Sequence, residues 1–106
     1  KKEFILYYNK LKLEDIVQNK TDKINKKILL ENGDSKLLAV ALKKDEILPE
    51  HESNTDACAF VYDGDVDFHF EAEEFNLKKD EIIFFKKHDK HSVHANKDSK
   101  FLVIKI

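Results

Sequence analysis

Cysteine and glycine are scarce in this 106-residue chain, which contains one cysteine and two glycines. A single cysteine, Cys58, excludes an intrachain disulfide and fits a reducing compartment, so we expect a cytoplasmic protein. Two isolated glycines cannot form a glycine-rich phosphate loop. The longest apolar run, residues 37–42, is far shorter than the ~20 residues that cross a bilayer. No basic stretch followed by an apolar one is visible at the start, so we do not expect a secretory signal.

An excess of charge of one sign is also lacking. Nineteen basic residues stand against 21 acidic ones, which gives a net charge of −2. A nucleic-acid binder usually carries a basic face, so we expect neither a nucleic-acid nor a membrane partner. Apolar residues make up 42% of the chain, enough for one core, and the length suits a single domain spanning residues 1–106.

Turn residues divide the sequence into short segments. Residues 1–22 combine an apolar run with a loop and one helical turn, and residues 23–106 have the pattern of short strands. The predicted strands are residues 4–8, 24–30, 36–43, 47–51, 56–62, 66–70, 81–85, 91–95 and 101–106, with a further short segment around Phe75 and Leu77. Eight or nine strands with turns about every 8–12 residues predict an all-β sandwich or barrel over residues 23–106.

Individual residues refine this prediction at two places. Asn32 and Gly33 lie in a predicted hairpin turn, where both supply positive φ angles. Pro49 lacks a backbone donor, so its segment is expected at the edge of a sheet.

The stretch from residue 44 to residue 106 resembles the cupin family. The first cupin motif is Gly, five residues, His-x-His, three or four residues, Glu, six residues and Gly. Here Asp45 occupies the first glycine position, His51 matches the first histidine and Ser53 replaces the second. Ala57 occupies the glutamate position, and Gly64 matches the final glycine.

In the second cupin motif the spacing is kept, but only one of the five characteristic residues is present. The motif is Gly, five residues, Pro-x-Gly, two residues, His, three residues and Asn. His91 matches the histidine, whereas Asp80, Lys86, His88 and Ala95 replace the other four residues.

A closer similarity is to the small, stand-alone cupins. These typically contain Leu-Pro-Glu-His, then Asp-Ala and a strand ending in Glu-Gly, which residues 48–51, 56–57 and 61–64 resemble. The resemblance implies a cupin-type β-barrel, a double-stranded β-helix of the jelly-roll kind. Most proteins of this branch have no assigned activity, so the resemblance implies a fold more firmly than a function.

In metal-binding cupins, three histidines and a glutamate hold a divalent transition ion inside the barrel. This chain retains His51 and His91 of that set, so the resemblance implies these two as ligands for iron, manganese, nickel, copper or zinc. A catalytic metal normally has three protein ligands, which two histidines do not provide. A metal-dependent oxygenase or isomerase is therefore the alternative hypothesis, and whether the protein is an enzyme stays open.

The favoured hypothesis is a module that binds a small organic ligand near His51 and His91. Strand alternation places side chains two residues apart on the same face. The expected pocket is lined by His51, Ser53, Ala57, Ala59, Val61, Phe68, Phe70, His91 and Val93. Small side chains among them leave room that metal ligands would otherwise fill.

The other histidines have simpler interpretations. His69 and His94 are out of phase with the inward positions and should face outward, and His88 is expected in a turn at the barrel mouth. Cys58 should lie on the face opposite Ala57 as a small buried apolar residue.

Aromatic residues on the outer strand face predict a cover for that face. Phe60 and Tyr62 lie there, with Phe4, Tyr7 and Tyr8 in the N-terminal segment. So many aromatics require burial by that segment or by a second subunit. Cupins commonly pair through this kind of sheet face, so the resemblance implies a homodimer.

Overall fold

A computed structural model describes residues 7–19 and 24–106, and these ranges contain nine strands and one short 3₁₀ turn, Leu13–Asp15. The strands are β1 (Asn25–Asn32), β2 (Ser35–Leu42), β3 (Ile47–His51), β4 (Ala57–Asp63), β5 (Asp65–Phe70), β6 (Glu74–Lys78), β7 (Glu81–Phe85), β8 (His91–Ala95) and β9 (Ser99–Lys105). The all-β prediction is confirmed, and most strand ends fall within two residues of those expected. The strand predicted at residues 4–8 lies mostly outside the described residues.

The strands form two antiparallel sheets that enclose one core. The large sheet has the order β1-β2-β9-β4-β7, and the small sheet has the order β3-β8-β5-β6. Pro49 lies on β3, an edge strand of the small sheet, as predicted. Within the described ranges there is no helix long and apolar enough to cross a membrane.

The core between the sheets is filled by aromatic side chains. Phe68 of the small sheet and Phe101 of the large sheet are both fully buried, and their ring centroids lie 5.8 Å apart in an edge-to-face arrangement. Phe85 lies 6.3 Å from Phe68 and closes one end of this cluster. Burying each such ring stabilises the fold by about 1.5–3 kcal/mol. The aromatic rings therefore occupy most of the space between the sheets.

A second buried cluster lies on the outer face of the large sheet. Val17, which follows the 3₁₀ turn, packs against the small side chains of Ala39 and Ala41. The Asn19 side-chain amide donates hydrogen bonds to two backbone carbonyls of the sheet, at 2.8 and 3.2 Å. Residues 16–19 therefore cover this part of the sheet.

Some of the aromatic residues expected to need a cover are buried, and others are exposed. Tyr62 is buried and Phe60 is half-buried on the outer face of β4, whereas the side chains of Tyr7 and Tyr8 are exposed. Phe4 lies outside the described residues. Cys58 is buried on the same outer face, as predicted, and burial raises its pKa. The homodimer stays a prediction.

The hairpin between β1 and β2 differs from the prediction by one residue. Asn32 still belongs to β1, where it pairs with Ser35, so the two connecting residues are Gly33 and Asp34. Gly33 has a φ of +62°, whereas Asn32 does not have a positive φ. The prediction that Asn32 supplies a positive φ is therefore wrong, because the strand ends one residue later than expected.

Replacing Gly64 by alanine is expected to lower the free energy of unfolding by roughly 2–4 kcal/mol. Gly64 has a φ of +98°, and a Cβ atom there would collide with the Ser99 hydroxyl and lie 2.6 Å from the Asp98 carbonyl oxygen. Gly33→Ala is the control, since a Cβ at Gly33 meets no atom within 4 Å, and it should cost only about 1 kcal/mol. Urea unfolding followed by tyrosine fluorescence measures both, and equal losses would contradict the steric explanation.

Candidate binding site at the open end of the barrel

The inward-facing side chains form rows that run across each sheet, and the last row of each sheet defines one end of the barrel. In the large sheet this end row consists of directly opposed residues, Lys36, Lys105, Ala57 and Phe85. In the small sheet it consists of His51, His91 and Phe70. The ring centroids of Phe85 and His91 are 4.6 Å apart, so the two rows meet across the barrel. We call this the open end.

The two histidines are neighbours held in the same way. Their ring centroids lie 4.3 Å apart. In each ring Nδ1 lies 2.8 Å from the carbonyl oxygen of the residue two positions earlier, Pro49 for His51 and Asp89 for His91. A carbonyl oxygen can only accept, so each Nδ1–H donates, and in the neutral form of such a ring Nε2 keeps a free lone pair. The pair therefore offers two hydrogen-bond acceptors at the open end.

His91 is the buried member of the pair. Its pKa is lowered from the ordinary value, chiefly because burial penalises the charged ring, and the charges of His51 and Lys105 act in the same direction. The hydrogen bond to the Asp89 carbonyl opposes this effect but does not overcome it. His91 is therefore neutral at pH 7 and acts as an acceptor through Nε2.

Lys105 is a site residue that the sequence analysis missed. It lies two residues after Val103 and four after Phe101, so it shares their inward face on β9. It also lines the same cavity as His51 and His91. Its pKa is lowered, chiefly by burial of the amine and also by the charges of Lys36 and Lys26. Extending the period-two alternation from Phe101 to the end of the last strand would have identified it.

The cavity between the end rows measures about 20 Å³. This volume is enough for one water-sized group. It is lined by Leu48, His51, Ser53, Phe68, Phe85, His91, Val93, Phe101, Val103 and Lys105. Five of the nine residues predicted to line a pocket are therefore brought together here, namely His51, Ser53, Phe68, His91 and Val93.

The remaining four predicted residues lie elsewhere. Ala57, Ala59 and Val61 face inward from β4 but belong to the packed core. The space that their small side chains leave is filled by the aromatic rings of the core, so the cavity is smaller than the sequence suggested. Phe70 lies beside His91, with ring centroids 5.5 Å apart, and lines a neighbouring groove instead.

This groove, which we call the mouth groove, has a volume of about 920 Å³ and opens next to the cavity. Its lining comprises Glu50, Phe70, Glu71, Ala72, Glu73, Phe75, Ile83, Phe84, Phe85, His88, Asp89 and Lys90. Phe85 lines both spaces, so the groove and the cavity share a wall. The groove combines apolar rings with a mostly acidic rim. His88 lies here as predicted, with Nδ1 2.9 Å from the Glu52 carboxylate.

The donor set at the open end does not fit a divalent metal ion. His51 and His91 offer two imidazole nitrogens, but the glutamate position of the cupin motif is Ala57, and the residue directly opposite Ala57 on β9 is Lys105. Across residues 7–19 and 24–106, no third His, Cys, Asp or Glu joins the two histidines in a group of ligand spacing. Two neutral ligands beside a lysine amine are too few to hold a transition ion against a cationic neighbour.

The histidines predicted to face outward do so. His69 lies on the outer face of the small sheet, with Nδ1 3.0 Å from the Glu74 carboxylate. His94 lies on the same face, and its Nε2 is 3.6 Å from the Asp45 carboxylate. Asp67, His69 and Glu74 bring their ligand atoms within 4.8 Å of one another, but His69 and Glu74 are well exposed and already paired. These side chains play no part in the open end.

We predict that His91 makes the protein less stable as the solution becomes acidic. Because the folded-state pKa lies below the unfolded value of about 6.5, the unfolded chain binds more protons as pH falls through that value. The free energy of unfolding should therefore drop below pH 6.5 and level off below the folded pKa. Urea unfolding between pH 4 and 8 measures this, and His91→Gln should reduce the slope whereas His69→Gln should not. A His91 ring that titrates above 6.5 by NMR would contradict the prediction.

Comparison of the chain with protein-family models and with curated proteins finds no match. Among solved structures, a cupin superfamily protein from Desulfitobacterium hafniense superposes with a TM-score of 0.86 at 15% identity, covering 93% of this chain and 91% of that one. A conserved protein of unknown function from Streptococcus pyogenes gives a TM-score of 0.84 at 19% identity, covering 93% and 88%.

A third solved structure carries the same fold within a longer chain. It is a cupin 2 conserved barrel domain protein from Leptotrichia buccalis, with a TM-score of 0.83 at 25% identity, covering 89% of this chain and 46% of that one. The resemblance inferred from the two motifs is thus confirmed at the level of the fold. The two facing antiparallel sheets and these superpositions show that the chain has the cupin fold.

Proposed function

We propose that this cupin binds a small organic ligand at its open end, over His51 and His91. The observation that carries the proposal is the pair of anchored rings, whose Nδ1 atoms are each fixed by a backbone carbonyl at 2.8 Å while Nε2 remains free. Two oriented acceptors beside apolar rings are the features of a small-molecule site, in which a few fixed polar groups set the orientation of the ligand.

The sizes of the two spaces determine how such a ligand is placed. The cavity of about 20 Å³ admits one polar group of the ligand, whereas the mouth groove of about 920 Å³ has room for the remainder. Phe70 and Phe85 lie on either side of the His91 ring, with centroid distances of 5.5 and 4.6 Å. A flat or apolar ligand body packs on these rings and its polar group enters the cavity.

A fragment screen by protein-observed NMR tests the proposal, using a set of carboxylic acids, amines and neutral alcohols with an aromatic or aliphatic body. Fragments that bind should shift the backbone amide signals of β8 and of the β5–β6 turn. His51→Ala should weaken their binding roughly 2- to 12-fold, the loss expected for one hydrogen bond of about 0.5–1.5 kcal/mol.

His69→Ala is the matched control for that experiment, because His69 faces outward from the small sheet and contacts neither space. Its fragment affinities should equal those of the wild type, and thermal unfolding should show both variants folded. Fragments that bind only at the outer face of the large sheet, or an absence of binding across the whole set, would refute the proposal.

We also predict that no transition metal is retained at one ion per chain. Protein purified without a metal-affinity tag, incubated with Zn²⁺, Ni²⁺ or Fe²⁺ and then dialysed, should contain far less than one equivalent by elemental analysis. The physical reason is that two ligands and a lysine amine cannot retain the ion.

One equivalent of metal that is lost in both His51→Ala and His91→Ala would contradict this prediction. The metal-dependent oxygenase or isomerase would then become the better hypothesis. The control is again His69→Ala, which removes the outward-facing group formed with Asp67 and Glu74, so metal lost in that variant would belong to the surface and not to the open end.

A further inference from the structure

Three lysines lie on the inward face of the large sheet, and two of them belong to the end row at the open end. Lys105 and Lys36 are directly opposite each other on β9 and β2, and Lys26 on β1 is opposite the inward-facing Val40. The electrostatic effects of Lys36 and Lys26 both reach the Lys105 amine. Like charges at directly opposed positions destabilise a sheet unless something neutralises them.

The described part of the chain supplies little neutralising charge to these lysines. Lys36 has a carboxylate partner, Glu31, at 3.7 Å. Within residues 7–19 and 24–106, neither Lys105 nor Lys26 forms an ion pair. Three positive groups thus share one carboxylate, and Lys105 lines the cavity with the two histidines. An anionic group on a ligand would neutralise this excess of positive charge.

The histidines restrict which anion is suitable. The Asp89 carbonyl fixes Nδ1–H of His91 as a donor, so this tautomer presents a lone pair at Nε2, which repels a bare carboxylate oxygen but accepts a hydrogen bond from a hydroxyl group. A ligand that satisfies both Lys105 and His91 therefore needs an anionic oxygen and a hydroxyl donor close together.

The rim of the mouth groove restricts the remainder of the ligand. Four carboxylates line the groove, at Glu50, Glu71, Glu73 and Asp89, against one lysine, Lys90. A second anionic group on the ligand would meet this acidic rim, whereas an apolar body meets Phe70 and Phe85. The favoured ligand thus has a single anionic end.

We infer that the open end recognises a hydroxy monocarboxylic acid with an apolar body, whose carboxylate pairs with Lys105 and whose hydroxyl donates to His91. The inference rests on the proposed function, because it names the chemical class of ligand for the same site. Charge-assisted hydrogen bonds to an ammonium group are stronger than neutral ones, so the carboxylate contributes the larger share of the selectivity.

Three matched probes test this class by isothermal titration calorimetry on the wild-type protein. 3-Phenyllactate carries both groups, 3-phenylpropionate lacks the hydroxyl and 3-phenylpropane-1,2-diol lacks the carboxylate. Phenyllactate should bind at least roughly threefold more tightly than either analogue. Equal affinities for the three probes would overturn the inference while leaving the proposed function intact, and failure of all three, together with a blank fragment screen, would refute both.

Lys105→Met identifies the group that provides the selectivity. This variant should lose the preference for phenyllactate over the diol while it still binds the diol. The matched control is Lys27→Met, because Lys27 lies opposite Ala39 and faces outward from β1. A preference that survives in Lys105→Met would overturn the role of Lys105.

Competition with inorganic phosphate distinguishes a site for any oxyanion from a site for a hydroxy acid. Phosphate should displace phenyllactate weakly or not at all, since it offers no apolar body for the groove. Phosphate that binds more tightly than phenyllactate would overturn the inference in favour of a phosphate site. The comparison of probes on the wild type does not depend on whether any variant folds.

Discussion

Packing of Phe68 against the facing sheet is the constraint on which the rest of the structure depends. Its ring is fully buried and contacts Phe101, Phe85 and His91, with centroid distances of 5.8, 6.3 and 6.3 Å. Because these rings fill the centre, the barrel cannot enclose a ligand of several atoms there. The small cavity lies instead between the end rows, where imidazole and ammonium groups join the phenyl rings.

The alternation of side chains along each strand made much of the fold and part of the site predictable. Val66, Phe68 and Phe70 alternate with polar residues, which identified β5 and its inward face, and Pro49 identified an edge strand. The spacing of His51 and His91 within the two motifs located the histidines that the structure brings to 4.3 Å. These features are local, since each depends on the period of a strand or on the backbone of one residue.

The volume of the site was not predictable in the same way. Small residues such as Ala57 and Ala59 suggested a roomy interior, but the space beside them depends on which side chains project from the other sheet. That is a property of the packing between sheets, which a strand pattern does not contain. The mouth groove was missed for a similar reason, because it forms between the β5–β6 turn, β7 and the turn before β8. The position of Lys105, in contrast, follows from alternation and required only that β9 be extended to its end.

The charge at one position of the large sheet decides which ligand the proposed site suits. Metal-binding cupins place a glutamate at the position of Ala57, and here the neighbouring inward residue across the ladder is Lys105. The site thus loses a negative charge and presents a positive one at almost the same place. Divalent cations are disfavoured by both changes, whereas an organic anion is favoured by both. In the proposed site, the same two histidines that would act as metal ligands beside a carboxylate act as hydrogen-bond acceptors beside an amine.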